Sequence, residues 1–236
     1  MIAVTFALPV ESSDLVFLLQ SKQQTRAGES NIIRGEIGTR SVTIIHTGVG
    51  QRTCEARMQN FLGREHPRFL ISSGFAGGLN TELDAGDLFL AENFSDPQLF
   101  QTAQRVLREE RLHVGKLFTS SSIVDSATQR SEIAKTHGAD AIDMETEMIA
   151  RVCQERGVRL LSLRGISDTP REPFPVSPAL LFDLERQKTP VAPLALHLLT
   201  RPGSVAGLLR FNRQINRARK KLTDALTHLI ARESFA

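Results

Sequence analysis

Two carboxylates in this 236-residue chain stand where chemistry is expected: Glu145, in Asp143-Met144-Glu145, and Asp168, at the end of Arg164-Gly165-Ile166-Ser167-Asp168. Each follows a short apolar run of strand character, and in open α/β sheets ligands bind outside the carboxyl ends of the strands. Other apolar runs end in the same way. Residues 2–8 lead to Glu11, Phe69-Leu70-Ile71-Ser72-Ser73 leads into Gly74-Phe75-Ala76-Gly77-Gly78, and a run ending near Thr119 leads into Ser120-Ser121-Ser122. A rim built this way offers carboxylates and bare backbone to one space, which is the equipment of general acid–base work.

Each of these residues also has a plainer role open to it. Asp143 suits the N-cap of the helix that follows. Asp168 precedes Thr169-Pro170 and suits a turn. Glu11 suits the first turn of a helix, where the dipole favours an acid. Glu147 lies two positions from Glu145 and points elsewhere on the helix. Their arrival together at strand ends is what argues for a site.

Other chemistries find little support. Gly48-Val49-Gly50-Gln51-Arg52 starts like a dinucleotide loop, but the third glycine is missing and no acid ends a following strand at the right distance. That dinucleotide-like start is the sole motive for a nicotinamide-dependent oxidoreductase. There is no Walker-type lysine loop, His-Glu-x-x-His helix, Cys-x-x-Cys pair or Gly-x-Ser-x-Gly elbow, and the six histidines show no ligand spacing. No metal, no cofactor and no nucleic-acid partner are expected. Cys54 and Cys153 lie in apolar helical stretches and read as core residues, which makes a reducing cytoplasm the default.

The elements that must position these residues follow from periodicity. Strands are predicted over 2–8, 31–37, 41–47, 69–73, 88–91, 114–119, 141–143 and 160–167, the second and third forming a hairpin across Gly38-Thr39. Helices are predicted over 12–19, from Gly50 to Leu62, and over 98–110, 127–135 and 145–156. Residues 169–178 form a proline-rich loop, and two or three helices close the chain. This alternation predicts one three-layer α/β domain over 1–236, with a mixed, mostly parallel central sheet flanked by helices. Hydrophobic residues at 41 % and charged residues at 23 % permit a sizeable core. No apolar run approaches the roughly 20 residues of a membrane span, and the first residues lack the pattern of a signal peptide.

The tail at 201–236 differs in charge from the rest. Eight basic residues stand there against Asp224 and Glu233, giving +6 and leaving −3 for the remainder of a chain of net +3. Leu208, Phe211, Ile215, Ala218, Leu222, Leu226 and Leu229 recur in it at helical spacing. Such a basic amphipathic helix packs on the sheet or a partner subunit, or docks on an anionic membrane; the sequence leaves both open.

Taken together, Ala7-Leu8-Pro9-Val10-Glu11, Gly48-Val49-Gly50, Ser73 to Leu79 with Gly86-Asp87-Leu88, and the pair Asp143-Met144-Glu145 and Arg164 to Asp168 resemble the superfamily of purine nucleoside phosphorylases and methylthioadenosine/S-adenosylhomocysteine nucleosidases. The resemblance covers roughly Ile2 to Asp168. It implies cleavage of the N-glycosidic bond of a purine nucleoside, with adenine as the base. Asp168 would give a proton to N7 of the leaving purine, beside Ser167. Glu145 would hold the ribose hydroxyls and Met144 would pack on the sugar. Phe118 would stack on the base, with Thr119 offering backbone. Glu11 would activate an attacking water, and Phe75, Ala76 and Gly77 would line the space where that water, or phosphate as a co-substrate, sits.

Three departures from the family pattern qualify those roles. Phe75 stands where the nucleosidases carry a small hydroxyl residue, which keeps a binding protein without chemistry as the alternative reading. Ser72 and Ser73 stand where the phosphorylases carry an arginine; Arg40 and Arg52 are the substitutes the sequence offers. The stretch from Ala91 to Val114 is short, which implies no covering loop and an open 5′ side. With the basic tail, that openness resembles the hopanoid-associated subgroup, thought to remove adenine from adenosylhopane. The resemblance thus implies a bulky or lipid 5′ substituent, a bacterial homo-oligomer such as a dimer, and a cytoplasmic location with peripheral contact to the inner membrane.

Overall fold

The first apolar run folds as β1 (Ile2–Phe6), and every residue in it is buried. Uninterrupted burial marks a strand covered on both faces: Val4 and Phe6 join the core on one side of the sheet and Ala3 the core on the other. The computed structural model describes residues 1–27, 30–181, 193–194, 197, 200–201 and 203–232. The further strands are β2 (Gln20–Ala27), β3 (Ser30–Ile37), β4 (Arg40–His46), β5 (Phe69–Gly78), β6 (Leu88–Ala91), β7 (Leu112–Gly115), β8 (Leu117–Thr119), β9 (Ala141–Asp143) and β10 (Leu160–Asp168). They make one mixed sheet in the order β2-β3-β4-β1-β5-β10-β6-β7, to which β9 adds against β5 and β8 against β9. The centre is parallel: β1 pairs β4 and β5, and β5 pairs β10.

Helices cover both faces. Leu15 of α1 (Pro9–Leu18), Leu99 and Ala103 of α3 (Pro97–Val106), and Leu222, Leu226 and Leu229 of the C-terminal helix pack with Val4, Phe6, Ile44, Ile71 and Leu163. On the opposite face Cys54, Met58 and Phe61 of α2 (Gln51–Leu62) meet Ile149, Val152 and Cys153 of α5 (Thr146–Glu155) over Ala3, Ile45 and Leu70. Both cysteines are therefore free core residues. Two more helices, α4 (Ala127–His137) and α6 (Pro178–Leu181), precede α7 (Ser204–Ala231). The three-layer α/β architecture expected from the sequence is the one observed. The closing helices expected between Leu181 and Ser204 lie mostly outside the described residues.

Several boundaries differ from the sequence reading. β2 was not expected, because Gln20-Ser21-Lys22-Gln23-Gln24-Thr25 carries no apolar alternation; it is an edge strand, and polar side chains keep such an edge from pairing with other chains. The run 114–119 is not one strand. It breaks at Lys116, whose N–H donates to Asp140 Oδ2 at 3.1 Å, so that β7 pairs β6 while β8 turns to β9. The glycine run 74–78 is not a turn after β5 but the last half of it, extended and paired with β10 and β9. α1 starts at Pro9, whose missing N–H costs nothing at a first helical position.

The C-terminal half of α7 buries Ala218, Leu222, Ala225, Leu226, Leu229 and Ile230, so this half packs on the sheet. Its N-terminal half leaves Val205 and Leu209 exposed. Among the described residues no helix is long and apolar enough to cross a membrane. Leu226 is fully buried in the α7 face of the core. Leu226→Ala should destabilise the chain by about 2–5 kcal/mol, the range for deleting a buried leucine side chain, read as a lower midpoint in urea unfolding.

Candidate active site

The strand ends do converge. After β1 the chain turns into α1, and Glu11 in its first turn folds back: Oε2 accepts from Leu8 N–H at 2.7 Å and Oε1 from Phe75 N–H at 3.0 Å. The helix-start role and the site role of Glu11 thus coexist. Gly74 makes the second bond feasible. Its φ of +134° suits glycine, and a Cβ there would stand 2.9 Å from Glu11 Oε1. Burial pushes the Glu11 carboxyl above its ordinary value, against the pull of the Leu8 and Phe75 amides.

Across the cavity, β10 ends in a register shift against β5 between Ile166 and Asp168. Neighbours in a regular strand point to opposite faces; the extra residue lets consecutive Ser167 and Asp168 both line the cavity. Ser167 Oγ donates to Asp168 Oδ1 at 2.5 Å. Oδ2 accepts from Nη2 of Arg130, which sequence reasoning did not single out. Burial raises the Asp168 carboxyl above the usual carboxylate range, while Arg130 and Ser167 pull it down.

The third carboxylate sits at the β9–α5 junction. Glu145 Oε1 accepts from Gly50 N–H at 2.8 Å. Its carboxyl is pushed up to about 8, first by burial and then by the negative charge of Asp143. Asp143 is not the N-cap expected of it, since α5 begins at Thr146 with Glu145 at the N-cap; from two residues ahead of that cap it takes the Thr146 N–H, and it also receives Nη2 of the buried Arg164 at 3.1 Å.

These groups border one cavity of about 820 Å³, counting the part open to solvent. Its remaining wall is largely apolar: Leu8, Val49, Phe75, Ile123, Val124, Ile142, Met144 and Phe174. Concave, mostly apolar and fitted with a few convergent polar groups, it has the make-up of a small-molecule site.

The profile of the Phosphorylase superfamily matches residues 1–96 and 92–189. The chain belongs to the Phosphorylase superfamily. Among curated superfamily relatives, the 5'-methylthioadenosine/S-adenosylhomocysteine nucleosidase of Staphylococcus haemolyticus is 21 % identical over 196 residues, covering 71 % of this chain and 86 % of that protein. The corresponding nucleosidase of Actinobacillus succinogenes is 23 % identical over 195 residues, covering 71 % and 85 %. Among solved structures, the Neisseria meningitidis nucleosidase in complex with methylthio-immucillin-A superposes with a TM-score of 0.73 at 17 % identity, covering 96 % of each chain. The futalosine hydrolase of Helicobacter pylori does so with a TM-score of 0.74 at 17 % identity, covering 96 % of this chain and 95 % of that one.

Of the residues that the superfamily resemblance singled out, Glu11, Phe75, Ala76, Gly77, Met144, Glu145, Ser167 and Asp168 line the cavity. Phe118 and Thr119 do not. The Phe118 ring stacks on His137, with centroids 4.2 Å apart, and Thr119 Oγ1 donates to Asp143 Oδ1 and accepts from Glu147 N–H. The wall that Phe118 was expected to provide comes instead from Ile123 and Val124, five and six residues on, and from Phe174 in the proline-rich loop. Arg40 and Arg52, offered as phosphate ligands, are absent from the lining, where Arg130 is the arginine present.

The raised Glu145 carboxyl has a consequence for stability. A carboxyl whose folded value, about 8, exceeds its ordinary 4.5 binds its proton more tightly in the folded state. Its contribution is fully present below about pH 4.5 and is lost as pH rises through about 8. The melting temperature of wild type should therefore fall relative to Glu145→Gln between pH 5 and pH 8.5. Parallel melting curves across that range would sink the assignment.

Proposed function

We propose that this chain cleaves the N-glycosidic bond of a purine nucleoside, with adenine as the leaving base and water as the attacking group. The observation that carries the reading is the division of carboxylates around one cavity: buried Asp168 with buried Ser167 on one side, buried Glu11 and half-buried Glu145 on the other. Breaking the bond leaves electron density on the base and positive charge on the sugar. Asp168 gives its proton to N7 as the C1′–N9 electron pair moves into the purine. Glu145, anchored on Gly50 N–H, accepts from the ribose hydroxyls and, in its ionised form, offsets the oxocarbenium charge. Glu11, with each oxygen already oriented by one backbone N–H, takes a proton from the water that bonds to C1′. Exchange with solvent returns that proton to Asp168, so the net change is nucleoside plus water to ribose and free base.

Water is favoured over phosphate because Arg130, the guanidinium in the lining, is already committed to Asp168 and to two carbonyls. The apolar walls, Leu8 and Val49 with Phe174, support a bulky apolar group such as a lipid on the 5′ carbon. The exposed Val205 and Leu209 beside exposed Arg210 and Arg213 on α7 support peripheral contact with an anionic membrane surface. Sedimentation with anionic vesicles, weakened at high salt and absent with neutral ones, is the expected result; equal binding to both would remove that contact from the reading.

The deciding assay is release of free base from a panel of purine nucleosides varied at the 5′ carbon, with and without phosphate. Release should not depend on phosphate, and Asp168→Asn should lower kcat/KM by about 10²- to 10⁴-fold, the usual share of one general acid. Unchanged turnover in that variant would overturn the mechanism. Tight adenine binding without release from any nucleoside would instead make the chain the binding protein that Phe75 hints at.

A further inference from the structure

Helix α4 buries one side chain fully, and it is an arginine. Arg130 is 1 % exposed. Its guanidinium is spent on three partners: Nε donates to Val124 O at 3.2 Å, Nη1 to Gly78 O at 3.0 Å, and Nη2 to Asp168 Oδ2. The pair lies against the main chain of Gly77, where a Cβ would stand 3.2 Å from Asp168 Oδ2 and 3.4 Å from Arg130 Nη1. Both members line the cavity.

Stability alone gives little reason for this arrangement. Taking two charges out of water costs as much as their attraction returns, and well-packed apolar residues of the same volume commonly do as well. A methionine in place of Arg130 would fill the space beside Ile133 and Ala134, which already pack in an apolar cluster with Leu79 and Ile142. What an apolar side chain could not do is act on Asp168. A guanidinium stays charged at every working pH and donates without ever accepting. It therefore favours the ionised form of its partner, the form that Asp168 takes once it has given its proton away.

We propose that Arg130 is a positioning residue of the reaction: it fixes the Asp168 carboxyl in one orientation and makes it a stronger acid toward the departing base. This rests on the reading of Asp168 as the proton donor. Arg130 thereby ties three things into one unit: the acid at the end of β10, the end of β5 at Gly78, and the wall segment at Val124. The proton balance is unaltered. Asp168 loses its proton to N7, and the carboxylate so formed is held by Arg130 until solvent reprotonates it.

The charged and titratable groups around Asp168 are few. Arg130 of α4 and the Ser167 hydroxyl of β10 favour its ionised form, and Asp125, ahead of α4, opposes it. Glu11 of α1, with Glu145, Asp143 and Arg164 at the β9–α5 side, occupies the rest of the cavity and its backing.

The test is Arg130→Met, with Arg130→Lys as the variant that keeps the charge. Because the proton donor must be protonated to act, kcat/KM falls above its titration point. Arg130 pulls that point down. In Arg130→Met the alkaline limb should move up by at least about one pH unit, a tenfold weaker acid, while the plateau kcat falls by about tenfold or more. Arg130→Lys should keep its limb near that of wild type. In an Asp168→Asn background, Arg130→Met should move no limb, which separates the effect from Glu11 and Glu145. A plateau that falls while the limb stays put would reduce Arg130 to a structural staple. Infrared titration of the Asp168 carboxyl in the ligand-free protein, identified by its loss in Asp168→Asn, gives the same answer without turnover. It should show the same upward shift in Arg130→Met, and an unmoved carboxyl there would overturn the proposal. That readout stands even if wild type releases no base, an outcome that would count against the nucleosidase reading alone.

Discussion

Arg164 is the fixed point of the molecule. It enters from the middle of β10 and is 2 % exposed. A guanidinium in that position is tolerable only if its donors are met. They are met by Asp143 at the end of β9, by Ser72 Oγ on β5 at 2.6 Å, by Thr146 Oγ1 at the start of α5 and by Leu163 O at 3.2 Å. Two central strands and the β9–α5 junction are thereby locked together directly behind the cavity. Met144 and Glu145 lie between two of those anchors, so this side of the cavity takes its geometry from a charge that does not line it. That charge also pulls against the raised carboxyls of Glu11 and Glu145.

The two sides of the cavity use different means to hold an acid in place. Glu11 and Glu145 are held by main-chain N–H groups from Leu8, Phe75 and Gly50. Such donors orient a carboxyl with partial charge only, and burial wins, so both groups are pushed up. Asp168 is held by a full charge and a hydroxyl. Burial still sets the direction of its shift, with Arg130 and Ser167 opposing it. A division of this kind, with pairs of carboxyls in contrasting surroundings, is how one fold sustains acid and base roles at a single pH.

Much of the frame was legible in the sequence because it rests on local patterns. The apolar runs of β1, β4 and β10 are strands covered on both faces, and the rim carboxylates follow from where such strands end. What was not legible depends on contacts far along the chain. Arg130 sits in a helix of mixed polarity, and its burial is decided by Asp168, 38 positions away. Phe118 looked like a base-stacking ring; the chain breaks at Lys116 and turns β8 toward β9, which sends that ring to His137. Ile123 and Val124 follow a serine-rich stretch with no period, and Phe174 lies among prolines, so neither wall carried a signal. The polar strand β2 escaped for the opposite reason: its residues from Gln20 to Thr25 are all exposed, and hence carry no pattern.

The glycines of β5 carry an implication for descent. Gly74 leaves room for Glu11, Gly77 for Asp168, and Gly78 for Thr169, whose Cγ2 would stand 3.1 Å from an added Cβ. Three positions of one strand are thus each the negative image of a side chain on another segment. Enlarging any of them requires the side chain opposite to give way, and two of those side chains are carboxylates of the site. The rim therefore drifts as linked pairs, whereas the apolar wall of Ile123, Val124 and Phe174 is free to change one residue at a time. Diversification of this scaffold toward new nucleosides should be written in that wall, with β5 left almost still.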